Sequence, residues 1–127
     1  MSPFARLAAV LSMLLATVAH AGPVTPYTAD AYSQALAAGT PVLVQVHADW
    51  CPTCRAQAPV VAKLAADPKY AAFTMLVVDY DAQKDVRKQL NVPRQSTLLV
   101  FKGGAEVARA TGITSADAIG ALLDKAL

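Results

Sequence analysis

Two residues carry the evident chemistry. Cys51 and Cys54 are the chain's sole cysteines and stand two residues apart in Trp50-Cys51-Pro52-Thr53-Cys54. Proline suits the first position of a helix, where its missing N–H leaves nothing unpaired, so the motif places Cys51 at a helix start and Cys54 one turn later on the same face. A sulfur at that position meets unpaired backbone N–H groups and the positive end of the helix dipole. Both favour the thiolate and bring a thiol pKa from about 8.5 into the range of roughly 3.5 to 7.5. A two-unit drop stabilises the thiolate by about 2.7 kcal/mol and raises its share at pH 7 from a few per cent to roughly three quarters. The thiolate is the form that attacks disulfides. Cys51 is therefore the expected nucleophile and Cys54 the more buried resolving thiol, with a Cys51–Cys54 disulfide as the redox-active group and no other cofactor.

Other uses of the pair fit less well. As an inert staple, so short a loop contributes only about 2 kcal/mol. A structural zinc takes four ligands, and no second Cys or His pair is present. Asp79, Asp81 and Asp85 have a calcium-loop look, but Lys84 and Leu90 occupy the positions needing Gly and Glu. No metal site is expected on these grounds. The alternative from a different class is a module that binds or delivers a soft metal such as copper through both thiolates. Only two soft ligands and the lack of a Met-rich run weigh against it.

The elements that position the motif follow from periodicity. Pro41 to His47 is almost continuously apolar and β-branched, as a central parallel strand covered on both faces requires. A helix from Pro52 to about Ala66 presents Val60, Val61 and Leu64, with Pro59 kinking it. Thr28 and Asp30 open an earlier helix that Gly39 stops, and Val24 to Tyr27 reads as a short edge strand. Thr74 to Val78 is a second buried strand, and Asp81 is placed to cap a helix bearing Val86 and Leu90. Thr97 to Phe101, a Gly103-Gly104 turn and Glu106 to Ala110 form a hairpin. Thr114 and Asp117 resemble a capping box for a last helix with Ile119, Leu122, Leu123 and Ala126 at helical spacing.

The first residues read differently. Arg6, the apolar run Leu7 to Ala19 and Ala19-His20-Ala21 match a signal peptide over residues 1–21, with cleavage leaving Gly22 first. The run is too short to span a bilayer, so no stable membrane insertion is expected after cleavage. Residues 22–127 then form one domain. Removing Arg6 from the 11 basic side chains leaves 10 against 9 acidic ones, a balance that predicts no nucleic-acid partner. The expected setting is periplasmic or secreted, for a monomer whose partners are protein thiols and disulfides or an upstream redox carrier.

Beyond the cysteines, the chain resembles the thioredoxin family over nearly all of residues 22–127. Val42 to Trp50 is similar to the family's central strand and Trp-Cys approach. Pro59 matches the proline five residues after the second cysteine, Thr97 to Gly104 the final hairpin, and Gly112 the glycine before the last helix. The resemblance implies an α/β, thioredoxin-like fold with a central mixed sheet flanked by helices. It also implies an exposed Cys51, with Trp50 and Pro52 on the surface beside the attacked disulfide. Three positions depart from the pattern. Gln45 replaces a buried acid, Val77 the lysine that accompanies it, and Ser96 a proline that is normally cis. A cis bond before serine costs about 2.5 to 4 kcal/mol, so a trans bond is expected. Gln95 and Ser96 are candidate substrate contacts, Ser96 is also a candidate hydrogen-bond partner for a thiolate, and Gln45 is expected to be a satisfied buried amide. Ser96→Pro is expected to leave exchange within about tenfold. His47 is a candidate modulator of thiol acidity.

Overall fold

The structure, a computed structural model, describes residues 23–127; the leader segment assigned to residues 1–21 lies outside them. The elements run β1 (Thr25–Pro26), α1 (Ala29–Ala37), β2 (Val42–His47), α2 (Pro52–Ala65), a 3-10 turn (Pro68–Tyr70), β3 (Thr74–Asp79), α3 (Lys84–Gln89), β4 (Thr97–Lys102), β5 (Ala105–Thr111) and α4 (Ala116–Asp124). The five strands form one mixed sheet in the order β1-β3-β2-β4-β5. β1, β3 and β2 are parallel, while β4 runs antiparallel to both β2 and β5.

β2 lies at the centre because its sequence tolerates nothing else. Val42, Leu43, Val44 and Val46 are all fully buried, and strand alternation sends Leu43 to one face and the three valines to the other. Leu43 joins Val61, Ala65, Leu98, Val100, Ile119 and Leu123 under α2 and α4. The valines join Leu76, Val78, Leu99 and Phe101 under α1 and α3. Two layers of core thus clamp β2, and its C-terminal end delivers the Trp50-Cys51 turn to the start of α2.

Local signals set most boundaries. Thr28 Oγ1 accepts the Ala31 N–H at 3.1 Å, as an N-cap does. Gly39 takes a left-handed φ of 70° and ends α1. The hairpin turns at Gly103 and Gly104, both with positive φ, which glycine adopts without strain. Two caps differ from the sequence reading. α3 begins after Gln83 with no side-chain cap, because Asp81 is engaged elsewhere. α4 is capped by Ser115, whose hydroxyl accepts the Ala118 N–H at 3.1 Å, so the expected Thr114–Asp117 box is displaced by one residue. The far end of α3 is held by Arg109 of β5, which donates to the carbonyls of Leu90 (2.9 Å) and Asn91 (2.8 Å). The same guanidinium pairs with both oxygens of Glu106, a fork that fixes its orientation.

Candidate active site

Cys51 is the N-cap of α2. Its sulfur accepts the Cys54 backbone N–H at 3.2 Å, the interaction that the Pro52 position foreshadows. Both cysteines are free thiols. The Cys51 thiol lies lowered, at about 7. Burial is the strongest single influence on it and pushes upward, but hydrogen bonds from the Cys54 side chain, Ser96, the Cys54 backbone and Gln95 together outweigh it, since each favours the charged form. Cys54 moves the other way: burial raises it, and its hydrogen bond to Cys51 raises it further. One sulfur is thus poised to ionise at neutral pH and its neighbour is held protonated.

The expected surface position of Cys51 is corrected. Its residue exposure is 3%, against 0% for Cys54. Cys51 lines a cavity of about 170 Å³ together with Thr53, Arg94, Gln95, Ser96, Thr111 and Gly112. Pro52 is exposed, and so is Trp50, at 57%. The indole donates its N–H to Asp81 Oδ2 at 2.7 Å and meets the Tyr80 ring edge-on at 6.1 Å. Arg87 covers that ring, 3.8 Å from its centroid, close enough for a cation–π attraction. Asp81 therefore steadies Trp50 instead of capping α3.

Ser96 is brought between the cysteines. Its hydroxyl lies 3.4 Å from Cys51 Sγ and 3.0 Å from Cys54 Sγ. The described residues contain no cis peptide, in keeping with the expected trans bond. Ser96 instead has a φ of 59°, in the left-handed region that side chains other than Gly seldom adopt. The backbone is locked there: Ser96 N–H donates to the Val46 carbonyl at 2.8 Å, and the Ser96 carbonyl accepts from Gly112 N–H at 3.0 Å and Gln57 Nε2 at 3.2 Å. Ser96 is consequently no extended surface contact, since its backbone groups are already used. Gln95, half-buried on the cavity wall, makes no backbone hydrogen bond among the described residues. Ser96→Pro is also not a mild exchange, because proline requires a φ of about −65° and lacks an N–H, here the one bound to Val46.

Gln57 was not singled out from sequence. It is fully buried and bridges two loops, donating to Ser96 and, at 2.8 Å, to the Ile113 carbonyl. The signal was available: Cys54, Gln57, Val61 and Ala65 are the buried positions of α2, and Gln57 is the one amide in that stripe, where a polar group is the informative exception. Gln45 pairs in register with Val77, so the two departures adjoin each other and no charge is stranded. Gln45 Nε2, however, is buried without a partner, which corrects the expectation of a satisfied amide. His47 Nε2 is bonded to Asp49 Oδ1 at 2.9 Å, and neither ring nitrogen is hydrogen-bonded to a cysteine sulfur. Among the described residues no group of three or more His, Cys, Asp and Glu side chains is placed to hold a metal.

A thiol capping the helix that follows the sheet's central strand, with a second thiol one turn on, fits the thioredoxin family. Its thioredoxin model covers residues 23–125. The chain belongs to the thioredoxin family. It is 36% identical to the thioredoxin of Chlamydia muridarum over 96 residues, 76% of this chain and 91% of that protein. It is 39% identical to thioredoxin-2 of Saccharomyces cerevisiae over 90 residues, 70% of this chain and 85% of that protein. Among solved structures, Trxlp from Edwardsiella tarda EIB202 superposes with a TM-score of 0.77 at 42% identity, covering 79% of this chain and 97% of that one. Like these thioredoxins, the protein is a thiol-disulfide oxidoreductase. No helix among the described residues is long and apolar enough to cross a membrane.

Proposed function

We propose that this thioredoxin-family protein is exported and exchanges disulfides with exported proteins or with a redox carrier in a periplasmic or extracellular setting. Cys51 attacks the substrate disulfide to give a mixed disulfide, and Cys54 then displaces the substrate and closes the Cys51–Cys54 disulfide. Trp50 and Pro52 flank the approach, and Gln95 offers its unbonded backbone to the substrate chain. The carrying observation is the Cys51 sulfur, capped by the Cys54 N–H and lowered to about 7. Export is supported by the leader over residues 1–21, which ends just before the family match begins at residue 23.

The same value bears on direction. A strongly oxidising CxxC protein owes its potential to a reduced form stabilised by a very acidic thiol, with a pKa of roughly 3.5. The Cys51 thiol is lowered less than that, and we read from it a potential toward the reducing end of the range. Equilibration of the pair with glutathione buffers tests this; a potential below about −220 mV is expected, and one of about −120 mV overturns the direction. Intact mass of the monomer recovered from the exported fraction is expected to begin at Gly22. Tight stoichiometric Cu(I) binding with negligible insulin reduction would instead establish the metal-binding alternative.

A further inference from the structure

Resolution requires charge on Cys54, the sulfur least suited to bear it. Cys54 is fully buried, and no carboxylate or imidazole among the described residues hydrogen-bonds it. Apart from Cys51, Ser96 is the one side chain among the described residues that hydrogen-bonds the Cys54 sulfur. The same hydroxyl reaches Cys51, and its single proton is free to rotate about the Cβ–Oγ bond.

We propose that the Ser96 hydroxyl is a catalytic donor shared by the two sulfurs: it donates to the Cys51 thiolate during attack and rotates to the Cys54 thiolate during resolution, with Gln57 as the residue that positions it. In resolution the Cys54 proton passes to solvent and the Cys54 thiolate attacks Cys51 Sγ. The Cys51–Cys54 bond forms as the bond from Cys51 to the substrate sulfur breaks. The electron pair leaves on the substrate sulfur, which takes a proton from solvent, so the two cysteines are oxidised and the substrate is reduced. Ser96 keeps its own proton throughout. Its contribution is a fixed donor at the charged sulfur in a site from which most water is excluded, where such a bond is strong. The left-handed backbone of Ser96 serves this placement. The Val46, Gly112 and Gln57 contacts hold the residue in a conformation that a serine seldom adopts.

The inference rests on exchange at Cys51 and Cys54 and not on export or on the substrate's identity, so failure of the export assignment leaves the following rates unchanged. Ser96→Gly suits the φ of 59° and removes the hydroxyl without straining the loop. Ser96→Ala removes the hydroxyl and keeps Cβ. Rapid quench of single turnovers on a mixed-disulfide-forming peptide separates the rate of attack from the rate of resolution. Both variants are expected to lose roughly tenfold or more in each step, with the mixed disulfide accumulating. Gln57→Leu, which keeps the hydroxyl but frees the loop, is expected to show a smaller loss in the same two steps. Wild-type rates in Ser96→Gly, or a loss confined to one step, would overturn the shared-donor role. Recovery in Ser96→Gly alone would show that backbone shape and not the hydroxyl is what matters.

Discussion

On the face of the sheet under α1 and α3, Val42, Val44, Val46, Leu76, Val78 and Leu99 are buried and wholly apolar. Under α2 and α4 the same strands begin alike, with Leu43, Met75, Leu98 and Val100, then turn polar toward the motif, where Gln45, His47, Gln57 and Ser96 gather. The three buried side-chain atoms without partners among the described residues, Gln45 Nε2, His47 Nδ1 and Gln57 Oε1, all belong to this second region. One face is spent on stability. The other gives some up to hold two thiols, a hydroxyl and a left-handed loop in register, the pattern expected when strain collects at a functional site.

The largest effect expected of any substitution is at the motif. Cys51→Ser should reduce insulin-disulfide reduction by roughly a thousandfold or more, while the melting temperature of the reduced protein below about pH 7 changes little. A folded Cys51→Ser variant with substantial turnover would remove the distinction between the regions.

Stability should divide the faces in the opposite sense. Leu99→Ala opens a cavity in the apolar layer and should cost roughly 2 to 5 kcal/mol in denaturant unfolding. Gln45→Leu, at the start of the polar region, removes an unpaired buried amide and should change stability by less than about 1 kcal/mol in either direction. Equal losses at the two sites would break the comparison.

Titration sharpens it further. The folded Cys51 thiol lies at about 7, below its ordinary 9.0. A depressed acid contributes stability that is full above the unfolded value and is lost as pH falls through the folded one. The reduced protein should therefore gain stability relative to Cys51→Ser as pH rises from about 7 to about 9. Cys54, raised by burial, acts in reverse and should erode stability above about pH 9. Unfolding midpoints at a series of pH values check both signs; a difference from Cys51→Ser that does not vary with pH would contradict the assignment. Arg109→Ala, which makes no hydrogen bond to either cysteine, frees the end of α3 and should cost roughly 1 kcal/mol, with the loss read in unfolding and not in exchange.

Much of this was legible in the sequence, and the parts that were not share a cause. The β2 run, the helix-start cysteine, Thr28, Gly39 and the Gly103-Gly104 turn each state their conformation locally, so they were read correctly. Asp81, Ser115 and Gln57 depend on which neighbour the fold brings near. Asp81 has two uses within reach, a helix and an indole, and only tertiary placement decides for Trp50. Ser96 shows the limit most clearly. Its replacement of proline was visible and the trans bond followed from energetics, but the φ of 59° arises from Val46, Gln57 and Gly112, distant in sequence. The buried state of Cys51 likewise depends on Ala48, Tyr80 and Ser96, which the fold brings against it, and not on the motif.

The account depends on two adjacent thiols having different roles. Cys54→Ser, reduced and mixed with a disulfide-bonded substrate near pH 7, should accumulate a stable mixed disulfide whose peptide map places the link at Cys51, whereas Cys51→Ser should trap little. Linkage through Cys54, or equal trapping by both variants, would contradict it.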